Sequence, residues 1–245
     1  MTDPAAAPTP APPEKASLID DFVDIFGSPA KVFARRASAS PALPFLLVSV
    51  LVIGMFLVNK NMMAPIMDAE VQKSLDAAMK ANPNLTPALA EQSKGMMQKF
   101  AVVGAVVFVP VTLLCLALVA WIVGRVLGGT LSYGTALLIA SFAWLPRVVE
   151  AVLNSVQALV LDVGKMTSHY ELTLSAARFV DVSTASPITL ALLGRVDLIT
   201  LWVTVLFAIG LVAAGKVPKE KMVVAGLMMW VIGSLPQLYG AFRAS

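Results

Sequence analysis

The sequence contains few of the residues on which soluble domains and metal centres depend. Charged residues make up 13% of the chain, whereas about 25% is typical of soluble domains. A single cysteine, Cys115, excludes an intrachain disulfide, and one histidine leaves no Cys/His set for zinc. The net charge of +3 comes without a clustered basic face, which argues against nucleic-acid binding. The sequence also lacks a phosphate loop and a nucleophile–base motif, so we expect neither an enzyme nor a cofactor.

Long apolar runs are what the chain does contain, in keeping with its 58% hydrophobic residues. Residues 198–215 and 222–242 carry no charge, and the basic loop 216–221 joins them. A helix needs about 17–25 apolar residues to cross the hydrocarbon core of a bilayer. The runs therefore predict an all-α, polytopic membrane helical bundle that has the lipid bilayer as its surroundings.

We predict five transmembrane helices within a membrane domain at 43–242. They are placed at about 43–62, 100–126, 131–161, 196–215 and 222–242. Ahead of them, the Ala/Pro-rich residues 1–16 are expected to be disordered, and 17–42 to form amphipathic helices on the cytoplasmic side. Two interpretations of those helices stay open. Either they lie in the headgroup region of the membrane, or they pack on the rest of the protein.

The third span carries a charge pair beside a helix-breaking proline. Arg147 follows Pro146, and Glu150 lies one turn later. One kinked helix to about residue 161 fits this pattern. So does a span that ends near Trp144 at the interface, followed by a segment that lies flat or re-enters. Charges at mid-bilayer usually face a polar interior, and the candidate intramembrane or interfacial polar residues are Arg147, Glu150 and Asp197.

Small residues recur at spacings that place them on one helix face, where another helix can approach closely. The spacing is four residues in the second and fourth spans and seven residues in the last span. The candidate packing residues are Gly124, Gly128, Gly210, Gly226, Gly233 and Gly240. Packing within the same chain is the simpler interpretation, and a homo-oligomer or another membrane protein as partner is the alternative.

Basic residues near the span ends predict the orientation. Three basic segments matter: residues 31–36 ahead of the first span, Arg125 at the turn after the second, and the loop 216–221. Five spans place all three on one side of the membrane, and the positive-inside rule makes that side cytoplasmic. The N-terminus is therefore expected in the cytosol and the C-terminus outside.

The hairpin at 196–232 resembles the closing signature of the Yip family of Ypt/Rab-interacting membrane proteins. In this chain the signature comprises Asp197, Leu198, Ile199, Trp202, an apolar run that ends at Gly215, and the basic loop 216–221. Residues 26–29 with Val32 and Phe33 are similar to the opening motif of the family, and 141–146 to its third-span motif. The likeness covers about 17–242.

The resemblance implies five spans with a cytosolic N-terminus, as the charge pattern predicts independently, and it implies no catalytic residues. The chain lacks the long cytosolic N-terminal region of the eukaryotic members, and its helix at 86–100 is similar to bacterial ones. We therefore expect a bacterial-type member in the inner (plasma) membrane. The first functional hypothesis is a non-enzymatic adaptor or membrane-organising component. The second is a transporter or channel subunit with a polar site around Arg147 and Glu150.

Overall fold

A computed structural model of the chain describes residues 17–82, 84–161, 166 and 168–244, without the side chains at 81, 98, 99 and 101. The tail predicted to be disordered, 1–16, lies outside the described residues. The described residues form nine α-helices, with short 3-10 turns between some of them, and no β-strand. In chain order the helices are α1 Leu18–Gly27, α2 Pro29–Arg36, α3 Ala42–Ala81, α4 Pro87–Val126, α5 Tyr133–Ala143, α6 Pro146–Val160, α7 Pro187–Arg195, α8 Leu198–Ala213 and α9 Met222–Arg243.

The all-α membrane fold predicted from the apolar runs is confirmed. Within the described ranges, four segments are long and apolar enough to cross a membrane: Ala42–Lys80, Val102–Val126, Tyr133–Val160 and Lys219–Arg243. The shorter apolar helix α8 stands where the fourth span is predicted. Its 16 residues extend about 24 Å, less than the roughly 30 Å of the hydrocarbon core.

The helix that contains the first predicted span does not end near residue 62. α3 continues to Ala81, and both α3 and α4 have 40 residues, a length of about 60 Å each. That is roughly twice the thickness of the hydrocarbon core. The two helices pack side by side, and residues 63–82 and 84–99 continue them beyond the predicted spans. We call these residues the projecting hairpin.

The third span is locally interrupted at the proline. α5 ends at Ala143, and α6 begins at Pro146, whose missing N–H is tolerated in a first turn. Trp144 and Leu145 keep helical backbone angles, and the Trp144 N–H still donates to the Ala140 carbonyl at 3.1 Å. The chain therefore continues from α5 into α6 through a break of two residues.

The amphipathic N-terminal helices pack on the bundle. Ile25 of α1 and Phe33 of α2 are fully buried, and the Phe33 ring lies edge-on to Phe142 of α5 with 6.3 Å between centroids. The outer face of α1 is apolar as well, since Ile19 and Val23 are 77% and 68% exposed. The helix thus has one apolar face against protein and another that can face lipid.

A buried carboxylate holds α1 and α2 together. Asp21 is completely buried and forms ion pairs with both Arg35 and Arg36. Arg35 also reaches Asp24 at 2.7 Å. A buried carboxylate is tolerated only when it is paired in this way, so these pairs fix how the two helices lie against each other.

The centre of the bundle is the contact between α5 and α8. Eight of the eleven residues of α5 are buried, as expected of a helix that is surrounded by others. α8 lies in tight contact with α5 at Gly210, where a Cβ atom would stand 2.6 Å from Ile139 Cγ2 and 3.2 Å from the Phe33 ring. The absence of a side chain at this position therefore sets the distance between α5, α8 and α2.

We predict that Gly210→Ala lowers the free energy of unfolding by about 1–3 kcal/mol, the usual effect of overpacking a core. Ile139 is fully buried and has no room to move away from the added methyl group. Gly104→Ala is the matched control, because no atom lies within 4 Å of its Cβ position, and it should be neutral or slightly stabilising. Thermal unfolding in detergent measures both, and equal midpoints would contradict the close contact.

Candidate functional site

The charge pair predicted in the third span lies where α6 meets α8. Arg147, in the first turn of α6, donates from Nη1 to Glu150 Oε2 at 2.6 Å and from Nη2 to Thr200 Oγ1 at 2.9 Å. Both charged side chains are largely buried, with 24% and 19% exposure. The pair is therefore neutral as a unit, and Thr200 ties it to α8.

Asp197 is the N-cap of α8. Its Oδ1 accepts a hydrogen bond from the Thr200 N–H at 2.7 Å, and a negative charge is favourable at this end of a helix. The residue is 3% exposed. Its Oδ2 has no hydrogen-bond partner among the described residues. Asp197 and Arg147 thus contact the same residue, Thr200, from two directions.

A second arginine joins the site, and sequence reasoning missed it. Arg195 ends α7 and donates from Nε to Ser234 Oγ at 2.9 Å and from Nη2 to the Trp230 carbonyl at 3.3 Å. In return, the Trp230 indole N–H donates to the Arg195 carbonyl at 3.2 Å. The one sequence signal was position, because Arg195 stands two residues before Asp197 at the edge of a charge-free run.

The two arginines line one end of a groove between α4, α8 and α9. The groove has a volume of about 430 Å³. Arg147, Arg195 and Thr200 supply polar atoms at one end, whereas Val119 and Phe207 line the other end. The groove is therefore amphipathic along its length, with cations at one end and hydrocarbon at the other. The described lining thus combines cationic hydrogen-bond donors at one end with apolar side chains along the rest of the groove.

A smaller polar contact joins the 3-10 turn at 169–172 to the projecting hairpin. His169 Nδ1 lies 2.6 Å from Glu70 Oε1, and the His169 N–H donates to the same oxygen at 2.8 Å. His169, the only histidine of the chain, therefore links the loop before α7 to α3 through Glu70. Among the described residues, no group of three or more His, Cys, Asp or Glu side chains could hold a metal ion.

The polar cluster of α1 and α2 lies apart from the groove and holds the helices together. The hydrogen bond to Asp24 is the main cause that raises the pKa of Arg35 above its ordinary value, with burial opposing it. At the start of α1, the hydrogen bond with the Ser17 hydroxyl lowers the pKa of Asp20. Both groups are charged at neutral pH. Arg35 joins α2 to α1 through its ion pairs, and Asp20 is part of the N-terminal capping box of α1.

The six candidate packing glycines have different surroundings. A Cβ at Gly124 would stand 2.5 Å from Leu131, and a Cβ at Gly226 would stand 3.4 Å from Ala208 of α8. Gly233 lies beside Arg195, at 3.5 Å from its Nη2. The remaining three are Gly210, described above, Gly128, which has a φ of +92°, and Gly240, which has no atom within 4 Å of its Cβ position.

Comparison with known proteins gives one match over most of the chain. The family model of the Yip1 domain matches residues 23–239, a range that includes α3 to α8 and the whole groove. No curated protein and no solved structure matches the chain.

Proposed function

The chain belongs to the Yip1 domain family, and from that premise we propose that it is a non-enzymatic adaptor or membrane-organising component. The family match and the apolar helices make it an integral membrane protein. The observation that supports the adaptor role is the projecting hairpin, which carries apolar side chains away from the bilayer.

One face of the projecting hairpin is suited to bind protein. On α4, Leu89, Met96 and Met97 are about half exposed, at 48%, 50% and 50%. Met67 of α3 and Met97 also line a cleft of about 420 Å³ between the two helices. Apolar patches of this kind outside a membrane mark interaction sites, and methionine adapts to partners of varied shape. We infer that the partner is an apolar protein segment, which can belong to another protein or to a second copy of this chain.

A photo-crosslinking amino acid at Met97 should give a discrete crosslinked protein band in native membranes. The same amino acid at Glu91 is the control, because Glu91 is exposed and lies about 120° or more around α4 from Leu89, Met96 and Met97. We expect much less product there. A partner would be identified by mass spectrometry. Equal yields at the two positions, or adducts with lipid alone, would contradict the adaptor proposal.

We also propose that the N-terminus is cytosolic, the C-terminus outside, and the membrane a bacterial inner membrane. Contacts at one end of the bundle support this orientation. Lys221 Nζ donates to the Leu127 carbonyl at 3.1 Å, so the basic loop and the turn after Arg125 lie together. Thr135 Oγ1 donates to the Ala37 carbonyl at 3.5 Å, which brings the end of α2 close to the start of α5. Basic residues gathered at one end favour the cytoplasmic side.

Topology reporters test the orientation. A reporter active only outside the cytosol should be active when it is fused after residue 244 or inserted at Asn84, and inactive when it is inserted at Lys219. The opposite pattern, with a C-terminal fusion active only in the cytosol, would refute the proposed orientation while leaving the helical bundle intact.

A transporter or channel subunit is the second candidate function. The observation in its favour is that Arg147, paired with Glu150, lines the groove, since ionisable residues inside membrane bundles often mark substrate pathways. Solute flux or ion conductance in reconstituted liposomes that Arg147→Ala abolishes, and Arg243→Ala leaves unchanged, would support transport. Liposomes without flux would eliminate this candidate and leave the adaptor proposal untouched.

A further inference from the structure

We propose that the groove between α4, α8 and α9 binds one anionic phospholipid, with its phosphate at Arg147 and Arg195 and an acyl chain along α4. The inference rests on the charge at one end of the groove, on its apolar length and on its opening toward the bilayer. It does not depend on the adaptor role.

The head end of the groove has cationic groups with donors to spare. A guanidinium carries five N–H donors, and the described hydrogen bonds of Arg147 and Arg195 use two in each. Glu150 and Asp197 balance the two charges overall, but neither is among the residues that line the groove. The surface presented to a ligand is therefore cationic, and the planar arginine fork matches phosphate oxygens.

The apolar part of the groove suits the upper part of an acyl chain. On α8 the lining runs from Thr200, which Arg147 contacts, to Phe207, about 10 Å at 1.5 Å per residue. One leaflet contributes half of the roughly 30 Å hydrocarbon core, so this part of the groove covers about two thirds of a leaflet. Phe207 and Met229 complete the apolar end. An acyl chain that extends from a phosphate at the arginines would lie along these apolar side chains and contact them over the length of the groove.

The groove opens sideways, toward the lipid. Phe108 and Val111 are 70% and 46% exposed along its edge, and Cys115 is exposed as well. All three side chains belong to α4, whose segment Val102–Val126 is long and apolar enough to cross a membrane, so they are placed to face hydrocarbon. A soluble anion would have to leave water to reach the arginines. A phospholipid reaches them by diffusing within the membrane, and its phosphate carries the negative charge that pairs with them.

Quenching of tryptophan fluorescence tests the proposal. The full chain is placed in phosphatidylcholine nanodiscs with increasing phosphatidylglycerol that carries brominated acyl chains, because bromine quenches nearby indoles and Trp144 lines the groove. We expect brominated phosphatidylglycerol to quench the tryptophan fluorescence at a lower mole fraction than brominated phosphatidylcholine does. Arg195→Gln should weaken this preference roughly tenfold, the loss of a charge-assisted hydrogen bond. Arg243→Gln, outside the groove, should not change it.

A second variant tests the tail without touching the arginines. Cys115→Phe fills the apolar part of the groove and should abolish the preferential quenching while leaving the protein monodisperse. Glycerol phosphate, added as a soluble competitor, should not restore fluorescence in the wild-type protein. Equal quenching by the two brominated lipids would overturn the proposal. Full competition by glycerol phosphate together with unchanged binding in Cys115→Phe would also overturn it, in favour of a soluble-anion site.

Discussion

The contact between α8 and α5 at Gly210 is the constraint on which the rest of the bundle depends. Phe33 packs against both the Gly210 position of α8 and Phe142 of α5, so a shift of either helix would disturb these contacts. Interiors packed at crystal-like density transmit such constraints over several residues. The position of α8 in turn decides where its polar first turn lies, and with it the hydrogen bond from Arg147 to Thr200.

The short length of α8 explains why a polar cluster exists inside a membrane bundle at all. A helix of about 24 Å ends before the hydrocarbon core does, so its N-terminal N–H groups need acceptors within the protein. Asp197 supplies one, and its charge favours cations nearby. Arg147 from α6 donates to Thr200 in the first turn of α8, Arg195 ends α7 two residues before Asp197, and the groove between α8, α9 and α4 begins beside them.

The sequence predicts those parts of the fold that depend on whether a segment lies in lipid or in water. Backbone in hydrocarbon must form helices, so uncharged runs locate the spans, and the charge pair of Arg147 and Glu150 follows from helical spacing. Tertiary packing is outside that reasoning. Arg195 joins Arg147 only because α7 ends against α9. An amphipathic pattern likewise does not say what covers the apolar face of α2. α3 passes Pro65 without a break, although a proline inside a helix usually kinks it. Asn59, six residues earlier in α3, holds the helix to α6 by donating to the Ala151 carbonyl at 3.0 Å.

The docking of α1 and α2 on α8 has a consequence for the order of folding. Phe33 and the Gly210 surface that receives it lie far apart in the sequence, so their contact closes a long loop at a cost in chain entropy. The ion pairs of Asp21 with Arg35 and Arg36 join residues that are close in the sequence, so they carry little of this cost. The pair of α1 and α2 can therefore form before α8 is in place, whereas its docking on the bundle cannot.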